Sequence, residues 1–133
     1  MAATIPEAVV DLFERETVAV LGTVMPDGTP HLTPVWIDHD GDDILVNTAE
    51  GRQKERNVRE NPRVGVCVLD PEDPYRYVSV RGRVAAVTTD GADAHIDALA
   101  ARYMGVDTYP HHGDERGPRV IIRIRPDRVV TST

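Results

Sequence analysis

The constraint that bears hardest on this chain is its punctuation. Short β-branched runs are cut repeatedly by segments that no strand interior tolerates. Thr17-Val18-Ala19-Val20-Leu21-Gly22-Thr23-Val24 reads as a strand and stops at Pro26-Asp27-Gly28-Thr29, a strong turn signal. A second strand over 30–39 meets a turn at Asp40-Gly41-Asp42, and a third follows over 44–48, which predicts an antiparallel meander. Asn61-Pro62 introduces a fourth strand at 63–69. The Asp70-Pro71-Glu72-Asp73-Pro74 loop leads into a fifth over 75–88, bent near Gly82. The last strand is expected over 120–124, followed by a turn at Pro126-Asp127 and a short run at Val129-Val130. Short strands joined by tight turns favour a mainly antiparallel barrel over a parallel α/β sheet.

Three helical segments interrupt the strands. Over 5–16, Thr4 and Glu7 have capping-box spacing, Pro6 suits a first turn, and Ile5, Val9, Leu12 and Phe13 form one apolar stripe. The stretch 51–61 is polar and is ended as a helix by Asn61-Pro62. The third helix runs over 90–104, with Ala94, Ile96, Ala98, Leu99 and Ala101 among its apolar positions, and a long loop over 105–118 follows. With 133 residues, 41% of them hydrophobic, the chain reads as one domain over 1–133. A chain this small leaves apolar surface uncovered, and deep pockets then form between subunits, so a homodimer is the expectation.

Charge and composition exclude several classes. A net charge of -7 opposes general nucleic-acid binding. No apolar stretch approaches bilayer length, and Glu7, Asp11 and Glu14 stand where a signal peptide would be basic and then apolar, so a cytoplasmic protein with no membrane role is expected. Cys67 has no partner for an internal disulfide and, within 64–69, reads as a small core residue. His111 and His112 read as a solvated loop pair rather than metal ligands, and His95 as a helix-surface residue.

Positive charge is concentrated in one place. Between Gly51 and Arg63, five cations (Arg52, Lys54, Arg56, Arg59, Arg63) face Glu55 and Glu60, a local balance of +3 that leaves -10 on the rest of the chain. There a strand ends, Gly51 permits close backbone approach, and a helix begins with free amides beside Arg52 and Lys54. Amides, helix dipole and cationic side chains together suit a phosphate. Arg56 and Arg59 are instead expected to pair with Glu55 and Glu60 at the surface. A second feature is His31-Leu32-Thr33-Pro34-Val35-Trp36-Ile37. Pro34 cannot donate to a strand ladder, so this stretch is an edge or a bulge. Two readings stand side by side: an open edge that meets a planar ring, or a plain edge with Trp36 in the core. No Ser/His/Asp or Cys/His constellation stands out, which does not exclude an enzyme whose chemistry resides in a cofactor.

Leu21-Gly22-Thr23, Asp27-Gly28-Thr29-Pro30, Thr33-Pro34-Val35-Trp36, the run from Gly51 to Val64 and the run from Tyr75 to Val84 together resemble the pyridoxamine-phosphate-oxidase-like superfamily. Within it the chain is most similar to the small flavin/deazaflavin oxidoreductases of type B, which use coenzyme F420. The resemblance implies a mainly β (α+β) fold, a six-stranded antiparallel split β-barrel with flanking helices of the FMN-binding split-barrel type. It also implies a homodimer with two cofactor sites at the interface. By the same resemblance, Arg52 and Lys54 hold the phosphorylated tail, and Thr33, Pro34 and Val35 line the ring. Asn47, Thr48 and Ala49 contact the ring or ribityl chain, Asn57 steadies the tail-binding turn, Tyr77 reaches the cofactor, and a partner loop, the one carrying Tyr109, closes the pocket. The implied activity is hydride transfer between reduced F420 and a small conjugated substrate. FMN in the same fold, as a flavin reductase or oxidase, and a non-catalytic flavin or F420 carrier are the alternatives.

Overall fold

The computed structural model describes residues 2–115 and 117–132. Its sheet is ordered β2-β1-β5-β6-β7-β4-β3, with every neighbouring pair antiparallel. The strands are β1 (Val18–Val24), β2 (Pro30–Trp36), β3 (Asp38–Asp40), β4 (Asp43–Ala49), β5 (Arg63–Leu69), β6 (Tyr77–Thr88) and β7 (Arg119–Thr131). Two helices, α1 (Gln53–Glu60) and α2 (Ala92–Met104), flank it. This is the expected mainly β split barrel, with seven strands in place of six.

The extra strand comes from one break. The run expected as a single strand over 30–39 divides at Ile37: its first part pairs with β1 and its second with β4. The β1–β2 hairpin forms, but β2 does not continue into a meander with β4. Since β2 and β3 are the two outermost strands and only Ile37 separates them, the sheet must curl until its edges meet there. Ile37 is fully buried at this seam. Its N–H donates to Tyr103 Oη at 3.0 Å and its carbonyl accepts from Arg102 Nη1 at 2.8 Å, both from α2. Buried backbone groups left unpaired would each cost about 1–3 kcal/mol, so these two side chains make the crossing possible. Burial raises the Tyr103 pKa, keeping it a hydroxyl that accepts from Ile37 and donates to the Thr17 carbonyl.

Two other expectations change in detail. The turn at Pro126-Asp127 is a bulge inside a continuous β7: Arg81 pairs with Arg128 and Gly82 with Pro126, so Asp127 is the extra residue. A Cβ on Gly82 would lie 2.5 Å from the Arg125 carbonyl oxygen, which explains the glycine at the bend. The first helix is a 3-10 segment, Glu7–Phe13, rather than an α-helix over 5–16, and no side chain caps it. Arg76 takes the Ala8 carbonyl at 2.7 Å and Asp42 takes the Ile5 amide at 2.9 Å, diverting groups an α-helix would use or cap. The expected stripe of Ile5, Val9, Leu12 and Phe13 is nevertheless buried.

Strand alternation sets the core. Ala19 and Leu21 of β1, Val64, Val66 and Val68 of β5, and Ile122 and Ile124 of β7 point inward with the 3-10 segment as a lid. Cys67, between two inward valines, is therefore on the outer face and only half-buried rather than in the core, and burial pushes its thiol pKa up.

Candidate functional site

The turn from β4 into α1 organises the site. Gly51 adopts φ +96°, a conformation that side-chain-bearing residues rarely adopt, and its N–H donates to buried Glu55 Oε1 at 2.8 Å. No side chain caps α1, so its first-turn amides remain available to an anion. Arg56 and Arg59 are spent within the element: Arg56 donates to the Gly51 carbonyl at 2.6 Å, and Arg59 pairs with Glu55. Arg52 and Lys54 instead face a cleft of roughly 310 Å³, whose walls also include Pro34, Val35, Trp36, Asn47, Thr48, Tyr109 and Arg119.

The cleft straddles the free edge of β2, which pairs only with β1. Residues from both of its faces, Pro34 and Trp36 on one and Val35 on the other, line it for that reason. Pro34 thus lies on a free strand edge that faces the cleft. Trp36 stacks on Tyr103 at 4.9 Å and meets Tyr109 edge-on at 6.2 Å, so it forms a cleft wall rather than core. Of the residues expected here, the fold gathers Pro34, Val35, Asn47, Thr48, Arg52 and Lys54. Thr33, Ala49, Asn57 and Tyr77 are not part of the lining. Ala49 is fully buried and Tyr77 lies at the start of β6, where its N–H binds Ser132. Asn57 acts at a distance: its amide donates to Thr23 Oγ1 at 2.9 Å and accepts from Gln53 at 2.7 Å, fastening α1 to β1.

Electrostatics single out three cations. Burial, then repulsion from Arg52 and Arg119, pushes the Lys54 ammonium below its ordinary pKa, and only Glu115 opposes this. The Lys54 ammonium makes no hydrogen bond or ion pair among the described residues. Burial likewise lowers Arg119, whose guanidinium sits 5.2 Å from the Tyr109 ring centroid. Arg52 is paired to Glu115, which raises the arginine and lowers the carboxyl. Asp93 is a weaker influence on Arg119. Three cations with one close carboxylate leave a surplus of positive charge in a half-enclosed space, an arrangement suited to an anion.

Asn47 was expected as a cofactor contact, and its amide is already engaged. Its Oδ1 accepts from Arg119 Nε at 2.9 Å while Nδ2 donates to the Ala92 carbonyl at 2.9 Å and to His95 Nδ1 at 3.1 Å. His95 continues to Asp38 at 3.0 Å, and Asp38 to Arg102 at 2.9 Å. His95 is thus no surface residue; it belongs to a chain of polar contacts running from the cleft to the barrel seam. Burial works against the Asp38 carboxylate, but the bonds from His95 and Arg102 outweigh it and bring its pKa down to about 2.

A family model described as pyridoxamine 5'-phosphate oxidase matches residues 5–132. The chain belongs to this family. A solved structure named F420 reductase is 39% identical, with 95% of this chain and 98% of that chain covered and a TM-score of 0.83. A conserved hypothetical protein from Mycobacterium tuberculosis is 25% identical over 98% of this chain and 85% of its own, at a TM-score of 0.75. A putative pyridoxamine 5'-phosphate oxidase from Listeria innocua, at 22% identity, 94% and 95% coverage and a TM-score of 0.68, shares the fold.

Arg119, which the sequence did not single out, lines the cleft together with Tyr109 of the same chain. The loop carrying Tyr109, expected to reach a partner's pocket, contributes Tyr109 to the cleft of its own chain. Asp97 of α2 anchors it, accepting from the Tyr109 amide at 2.8 Å and contacting His112 at 2.7 Å. His111 pairs with Asp114. Among the described residues no helix is long and apolar enough to cross a membrane.

Proposed function

We propose that this protein is an F420-dependent oxidoreductase, working as a homodimer, that transfers a hydride between the reduced deazaflavin and a small conjugated substrate. The observation that carries the reading is the cationic surplus of Arg52, Lys54 and Arg119 beside the free edge of β2. The likeness to a structure named F420 reductase supports the choice of cofactor. The residues fit such a group. The Lys54 ammonium, half-buried among like charges in the cleft and without a hydrogen-bond or ion-pair partner among the described residues, offers the tail an unused cation.

When bound, the deazaflavin supplies the hydride chemistry. The chain supplies placement. Lys54, Arg52 and Arg119 would hold the anionic tail, each charge-assisted contact contributing about 1.5–3 kcal/mol. The β2 edge at Pro34–Trp36 and the Thr48 side would receive the ring, and Val18, Ile96 and Trp36 keep water from its surroundings. We infer that a second copy covers the outer face of β1 and β2, where Leu32 is 65% and Val18 52% exposed, Val18 also lining the cleft.

Titration with F420 and with FMN, followed by fluorescence, tests the cofactor. F420 is expected to bind more tightly, and firm FMN binding with no response to F420 would replace it. Reoxidation of the bound reduced cofactor by quinones or coumarin-type lactones distinguishes an enzyme from a carrier. Sedimentation reads the dimer, and a monomer with full activity would remove that element.

A further inference from the structure

The cleft already holds a negative charge of its own. Glu115, on the 105–118 loop, pairs with Arg52 across 63 residues of sequence. Its carboxylate also lies within electrostatic reach of Lys54 and Arg119, so one side chain addresses all three cations. Its position is built in. Gly117 is pressed so closely onto Glu50 that a Cβ would lie 2.6 Å from the Glu50 carbonyl oxygen, and the Glu50 amide donates to the Pro118 carbonyl at 2.9 Å. The chain is thereby clamped to the β4–α1 turn just after Glu115, and Asp97 clamps it before, through Tyr109 and His112.

Resting on the anion-site reading above, we propose that Glu115 is a specificity-determining residue: an internal competitor that occupies Arg52 until a ligand carrying enough negative charge displaces it. The pair is well placed for this. Arg52 is half exposed and the Glu115 side chain 23% exposed, so the contact holds by no more than about a fivefold equilibrium advantage. A phosphate group, which accepts two parallel bonds from a guanidinium and gains Lys54 as well, outcompetes it, whereas a lone carboxylate offers only what Glu115 already provides. The cleft thus discriminates by charge density rather than shape, rejecting small monoanions and admitting phosphorylated ligands. On displacement the Glu115 side chain leaves Arg52 while its clamped loop stays, and the changed charge in the cleft is read by Trp36, which lines it and is the only tryptophan in the chain.

The test uses the full chain and three probes, F420, FMN and inorganic phosphate, with Trp36 emission and equilibrium titration as readouts. In Glu115→Gln, phosphate is expected to bind roughly fivefold more tightly at low ionic strength, and acetate to gain measurable affinity. In an Arg52→Ala background the same substitution should change little, since the competition has lost its object. Unchanged or weaker phosphate binding in Glu115→Gln would overturn the competitor role, showing Glu115 to be a surface pair or a support that aims Arg52. Lys54→Ala separates the two ideas: if it leaves F420 and FMN binding intact, the functional reading fails whatever Glu115 does. If Lys54→Ala weakens both while Glu115→Gln is silent, the site stands and the competitor falls. Absence of saturable binding of any probe by wild type and Glu115→Gln would end both.

Discussion

Two arginine clusters in this protein have opposite fates. At the foot of the barrel, Arg76 donates to Asp70 at 2.9 Å and to Asp11 at 2.6 Å, while Arg15 donates to Asp70 at 3.0 Å. Two cations meet two carboxylates, every bond has its counterpart, and the result ties the 3-10 segment to the loop before β6. In the cleft, Arg52, Lys54 and Arg119 meet, among the described residues, Glu115 as their one close carboxylate. Residue type does not separate a staple from a site; the balance of nearby charge does. A folded chain keeps like charges together in a half-buried space at a cost in stability, and such a cost marks places where a ligand completes the structure.

The comparison can be broken in several ways. The largest effect is expected from the cleft: Lys54→Ala should weaken cofactor binding by about 1.5–3 kcal/mol, ten- to a hundredfold, with the melting temperature little changed. Titration beside thermal unfolding reads both quantities, and parallel losses would show the cleft to be another staple. Arg76→Ala should do the reverse, lowering the melting temperature and leaving the dissociation constant alone. Acid offers a third approach. Since Asp38 is held at about 2, its contribution to stability is fully present above the unfolded carboxylate value near 4 and lost as pH falls toward 2. Asp38→Asn should flatten that part of the acid-unfolding curve. The smallest effect is a gain: Lys54→Met removes a charge that burial and two arginines disfavour, raising stability by roughly a few tenths of a kcal/mol, since the site is half open. A loss instead would mean that Lys54 has a structural partner.

Much of this was legible in the sequence where the signal is local. Pro26-Asp27-Gly28 and Asn61-Pro62 carry their own conformational limits, so β1, β2 and β5 begin or end where expected. Gly51, Arg52 and Lys54 form one turn and announce themselves together. The break at Ile37 left no mark, because Val35 and Ile37 keep inward alternation through it, and the groups that permit it, Arg102 and Tyr103, lie 65 and 66 residues further on. Arg119 and Glu115 were hidden for the same reason: one looks like the first residue of a strand and the other like loop polarity until folding sets them opposite Arg52. His95 looked like a helix-surface residue, because nothing in its position on the helix points to Asn47 or Asp38, its partners across the fold.

The crossing at Ile37 carries a consequence for how this architecture tolerates change in length. The 105–118 loop can gain or lose residues at a closure cost that grows only logarithmically. At Ile37 length is counted in parity: one amino acid more or fewer turns inside to outside along a whole flank, placing Val35 or the Asp38 carboxylate on the wrong side, while two restore the sense of the alternation. A scan of single and double insertions there should accordingly read as odd and even, folded chains appearing only in the even series.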